Sequence, residues 1–146
     1  MKTLICATLL FISGLVAAGA GEKDTDLDRL QGTWVVVSLV ELGKAVPAAD
    51  TDILEVIITK DAFTVLEKGK PVVHDTIKLD ATKTPKTIDF THVSGDDKGK
   101  TEPGIYLLEK DQLKICLNEK TKERPTVFEG KETSAYSVIV LKKKAK

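Results

Sequence analysis

The chain has 146 residues, of which 42% are hydrophobic and 30% charged, with 22 basic residues set against 22 acidic ones. That length suits one domain with a substantial core, and interspersed, balanced charge supplies no clustered basic surface for nucleic acid. The one basic run, Lys142-Lys143-Lys144-Ala145-Lys146, reads as a solvated strand end.

In chain order, Lys2 precedes an uncharged run over residues 4–18, and Ala18-Gly19-Ala20 offers the small residues of a signal-peptidase site. Residues 1–20 are therefore predicted to be a cleaved signal peptide. The run is at the short end of the roughly 17 to 25 residues that span a bilayer and holds Ser13 and Gly14, so no membrane span is expected after cleavage. The expected mature chain, 21–146, is a single exported domain, periplasmic or extracellular. Cys6 leaves with the leader, which makes Cys116 the one remaining cysteine and excludes an internal disulfide.

Residues 25–30 read as a short helical turn whose Asp-rich start suits the positive end of a helix. From Trp34 onward the pattern turns to period two with β-branched residues, broken by Gly, Pro, Asn and Asp. Strands are predicted at 33–42, 53–59, 63–68, 72–79, 87–92, 105–109, 112–117 and 136–142. Connections at 60–61, 68–71 and 110–111 are short enough for antiparallel neighbours, and the row of strands describes a meander. The expected fold is all-β, an antiparallel up-and-down eight-stranded barrel, since closing the meander leaves no strand unpaired. The longest interruption, 118–135, is expected to be a lid, a plug or a binding segment.

Several motifs carry a resemblance. They are Leu30-Gln31-Gly32-Thr33-Trp34 with Val37-Ser38, Glu41 before Gly43-Lys44, Pro85-Lys86 followed by Ile88-Asp89, and Gly104-Ile105-Tyr106. Leu113-Lys114-Ile115-Cys116 and Arg124-Pro125-Thr126-x-Phe128 complete the set. Together they resemble the family of small secreted domains abundant in planctomycete bacteria, described as lipocalin-like and without an assigned activity. The resemblance runs from about Leu30 to the last strand and implies a calycin-type barrel in an exported protein. In lipocalin-like barrels the first-strand tryptophan is often covered by a basic side chain. Lipocalins proper place an arginine there, whereas the candidates in this chain are Lys142, Lys143 or Arg124.

Gly32 reads as backbone geometry and Trp34 as a structural plug rather than a ligand stack. Arg124 reads first as a donor to loop carbonyls beside an inward-tucked Phe128; the functional alternative makes it an anion anchor at the barrel mouth. His74 and His92 lie near Asp75 and Asp89, but His74 and Asp75 point to opposite faces of a strand, and no spacing matches a zinc site. Asp96-Asp97 lacks the alternating ligands of a calcium loop and fits a hairpin tip. Cys116 reads as a small buried hydrophobe. Neither a phosphate-cradling loop nor a Gly-x-Ser-x-Gly elbow occurs, so no catalytic residue, metal or cofactor is assigned and no enzyme is expected.

Two functions fit this pattern. The first is a carrier of one small apolar or amphipathic molecule inside the barrel. Alternation makes Val36, Phe63, Val65, Ile88 and Phe90 candidate lining residues, with Ile105, Leu107 and Val138 from later strands and Arg124 and Phe128 from the long loop. The alternative is an envelope module that binds or inhibits another protein through loops 94–103 and 118–135.

Overall fold

The computed structural model describes residues 24–129 and 135–145. The predicted signal peptide and residues 130–134 of the long loop lie outside them. Nine strands follow in order: β1 (Gly32–Glu41), β2 (Lys44–Ala45), β3 (Leu54–Thr59), β4 (Ala62–Glu67), β5 (Lys70–Asp80), β6 (Lys86–His92), β7 (Thr101–Glu109), β8 (Gln112–Asn118) and β9 (Tyr136–Lys143). From β3 onward each strand pairs antiparallel with the next; β1 pairs with β3 and, across the closure, with β9. The result is a closed eight-stranded barrel, with the two-residue β2 hooked onto the end of β1. Two helices complete it: α1 (Asp26–Leu30) and the four-residue α2 (Ala48–Thr51) between β2 and β3. The β4–β5 turn is Lys68-Gly69, both left-handed at φ +49° and +78°, the two-residue geometry that matches the twist of a hairpin.

The barrel has one filled pole. Thr25 caps α1 in a reciprocal capping box with Asp28, and the Gln31 side chain bonds the Leu27 and Lys60 carbonyls, stopping the helix under the barrel. Gly32 then bends at φ +121°, a region that favours glycine, and delivers Trp34 inward. The indole is 0% exposed and donates from Nε1 to the Leu30 carbonyl at 2.8 Å. Above it Lys143 Nζ sits 5.4 Å from the ring centroid and donates to the Arg29 carbonyl at 2.7 Å. Lys143 is thus the basic cover, and Arg124 lies elsewhere.

At the same pole Asp26 accepts from Lys86 Nζ at 2.7 Å and from the Tyr106 hydroxyl at 2.8 Å. Burial alone raises the Asp26 pKa, but the bonds from Lys86 and Tyr106 and the charges of Lys86 and Arg29 outweigh it and hold the carboxyl below 3.8. Burial and the facing carboxylate push Tyr106 far above its ordinary value, so its hydroxyl stays a donor. The stability that Asp26 contributes is therefore present above its unfolded value of 3.8 and is lost as pH falls through its lower folded value. Denaturation midpoints followed from neutral to strongly acid pH check this. Asp26→Asn is expected to be less stable at neutral pH and to show a shallower acid limb than the parent; parallel limbs would exclude the linkage.

Two bulges decide which residues face inward. In β1 the register shifts between Val36 and Ser38, leaving Val37 57% exposed and moving the inward set from Trp34 and Val36 to Leu39 and Glu41. In β5 the register shifts opposite Val65 and Leu66, so Val72 is extruded and Val73, Asp75, Ile77 and Leu79 continue inward. The expected inward placement of Ile105, Leu107 and Val138 is not met. In β7 the inward set is Glu102, Gly104, Tyr106 and Leu108; Leu107 is 41% exposed, and Ile105 and Val138 form a separate outer cluster with Cys116. That outer face is apolar because part of the long loop lies on it, with Pro125 fully buried and Phe128 and Tyr136 packed against the cluster. Within the described part of 118–135, the segment around Pro125 and Phe128 is thus a clasp on the wall, whereas Glu119 lies at the barrel's end.

Candidate functional site

Opposite the Trp34 pole the described residues leave the barrel open. Phe63 and Phe90 meet edge to face, centroids 5.1 Å apart and planes at 85°, an arrangement favoured by the ring quadrupoles. Above them Leu39, Val65, Ile115, Leu117 and Ile139 wall a cavity of about 190 Å³. Its apolar lining comes from the inward positions of β1, β4, β8 and β9 that precede the polar residues Glu41, Glu119 and Ser137 at the opening.

The rim of this cavity is acidic. Glu41, Asp75, Glu102 and Glu119 line it together with Val73 and Ser137. Asp75, its side chain only 8% exposed, takes His92 Nδ1 at 2.8 Å; His92 Nε2 approaches Glu102 at 3.8 Å, and Lys122 also pairs with Glu102. Ser137 Oγ accepts the Leu42 backbone N–H at 3.2 Å, which ties the β1–β2 turn to β9 beside the opening. These contacts fix Asp75 and Glu102 at the rim, while Glu41 and Glu119 are exposed.

A second concavity, about 500 Å³, lies outside the barrel between the outward faces of β5 and β6 and the Arg124-Pro125-Thr126 segment. Arg124 donates from Nη1 to the Gly104 carbonyl at 2.8 Å, and its Nη2 lies 2.7 Å from Asp89 Oδ1, an ion pair off the hydrogen-bond direction. Its fork is engaged within the chain and stands on the outer wall, so the placement of Arg124 at the barrel mouth is corrected. The expectation that Phe128 tucks inward is corrected with it, since the ring lies against the outer cluster.

Of the residues expected to line a ligand site, Phe63, Val65 and Phe90 meet at the cavity, and Val36 and Ile88 lie inside the barrel in the packed core. His74 faces out, 3.4 Å from Thr64 Oγ1, while His92 takes Asp75 rather than Asp89. Cys116 is 0% exposed, 3.6 Å from the Val127 carbonyl, and burial pushes its thiol up to about 11. Residues 101–103 of the loop 94–103 belong to β7. Among the described residues no three His, Cys, Asp or Glu side chains are grouped to hold a metal ion, and no helix is long and apolar enough to cross a membrane.

The rim carboxylates and most of the wall were not singled out in sequence. A signal for them exists: each acidic residue extends the inward parity of its strand at one common end. Glu41 stands two after Leu39, Asp75 two before Ile77, Glu102 two before Gly104 and Glu119 two after Leu117. Comparison with known family models, curated proteins and solved structures yields no match.

Proposed function

We propose that the barrel is a carrier for one small molecule with an apolar body, held at the open pole against Phe63, Phe90 and the aliphatic wall. The observation that carries this reading is the contrast between poles. Around Trp34 the interior is filled, whereas above Phe63 and Phe90 about 190 Å³ remains among apolar side chains. An apolar cavity of about 150 Å³ accepts a benzene-sized guest, so this space suits a single ring or a short chain. The likeness to lipocalin-like secreted domains supports the same reading, as does a leader read as an export signal.

Titration with 2-phenylethanol, followed by methyl NMR shifts, tests it. Saturable shifts are expected at Val65, Ile115, Leu117 and Ile139. Val65→Phe places a ring in the cavity and is expected to weaken binding at least about tenfold. Its stability should change by less than about 1 kcal/mol, because the added atoms enter empty space rather than a packed core. Shifts scattered over the outer wall, or Val65→Phe binding as well as the parent, would rule the carrier out.

A further inference from the structure

Resting on the carrier reading, we infer that the ligand is a cationic amphipath: a small primary amine whose apolar end enters the cavity and whose ammonium stays at the rim. The cavity itself sets the apolar half of that description. Its mouth sets the other half, because among the described residues the four ionisable ones that line it, Glu41, Asp75, Glu102 and Glu119, are acidic. The nearby basic groups stand to the side of the opening: His92 is engaged by Asp75, and Lys122 reaches Glu102 from the adjoining outer surface.

Charge and depth act together in this arrangement. Carboxylates grouped above a low-dielectric wall focus a negative potential on the opening, which raises the local concentration of cations and repels anions. An ammonium has three donors to distribute among carboxylate oxygens and makes charge-assisted bonds of about twice the neutral strength. A carboxylate or phosphate on the same apolar tail would have to sit among carboxylates of which, within the described residues, only Asp75 and Glu102 have a basic partner beside them, His92 and Lys122. A neutral alcohol escapes that repulsion but gains no charge-assisted bond.

Three probes of matched tail separate these cases by isothermal titration at low ionic strength: 2-phenylethylamine, 2-phenylethanol and phenylacetate. The amine is expected to bind at least about tenfold more tightly than the alcohol, the scale of one charge-assisted hydrogen bond, and phenylacetate more weakly than either. Added salt should shrink the amine's advantage and leave the alcohol unchanged. In Glu41→Gln/Glu119→Gln, two exposed positions, the ratio of amine to alcohol affinity should fall toward one, with a circular-dichroism spectrum and melting temperature like the parent's reporting an intact barrel. Equal affinity for amine and alcohol, or tightest binding of phenylacetate, overturns the charge preference and leaves the carrier standing. If none of the three binds, both readings fall.

Discussion

Trp34→Ala is expected to cost about 3–5 kcal/mol of folding stability, the range for deleting a large buried aromatic. The indole is fully buried under Leu30, and α1 is held to the barrel partly by the bond from Nε1 to the Leu30 carbonyl. Alanine removes that donor, the surface beneath Lys143, and the side chain around which the filled pole is packed. Against a total of about 5–15 kcal/mol for a domain of this kind, the loss is a large fraction. Denaturant unfolding followed by circular dichroism measures it, since Trp34 is the single tryptophan and its fluorescence disappears with it. Trp34→Phe dissects the effect: it keeps a ring but leaves the Leu30 carbonyl without its donor, at a cost nearer 1–3 kcal/mol. A loss below about 1 kcal/mol for the alanine variant would show that the plug is dispensable.

Gly104→Ala is the second large effect, expected to destabilise by about 1–3 kcal/mol despite adding one methyl group. A Cβ at this inward position of β7 would lie 2.6 Å from Leu117 Cδ2, 2.9 Å from the Cys116 carbonyl oxygen and 3.3 Å from Ile88 Cγ2. Leu117 has rotamers to escape into. The Cys116 oxygen belongs to the backbone of β8, paired directly with β7, and moves only if the two strands part. Because Leu117 also walls the cavity, its displacement should reach the open pole. The variant is expected to show both a lowered denaturation midpoint and weakened 2-phenylethanol binding. Unchanged stability with unchanged binding would mean that the β7–β8 approach is looser than the distances imply.

The strands were legible because period-two alternation and short polar turns are local properties, and the eight predicted segments each coincide with an observed strand to within a few residues. The largest boundary error is at β7, which begins at Thr101 rather than 105; Pro103 lacks an N–H and reads as a strand breaker, yet it pairs with Asp89 inside the sheet. β2 and α2 were invisible, being too short to carry a period. Which face points inward was harder. In β7 the residues from Gly104 to Leu108 carry no polar side chain to mark one parity as outward except the Tyr106 hydroxyl, which lies on the inward parity, and the inward residue after Glu102 is a glycine with no side chain to announce it. In β8 and β9 the outward Cys116 and Val138 look like core because they are core, but of the outer cluster beneath the clasp. Long-range packing created that second apolar face, and no window along the chain contains it. The bulge at Val37 reversed parity within a run of valines, which is why Leu39 and Glu41 were missed.

The pairing of Trp34 with Lys143 places the seam of the cylinder between segments that are almost the whole described chain apart. Joining them carries the steepest loop-closure cost in the molecule and gives a slow, high-contact-order route to the native state. During synthesis β1 can pair with β3 early, but its other edge waits for β9. A truncation or lesion within β9 accordingly leaves two complementary flanks unmated, β1 and β8, ready to recruit the same strands from another copy. Damage at the C-terminal strand should therefore surface as oligomers and precipitation before it surfaces as a lower melting point.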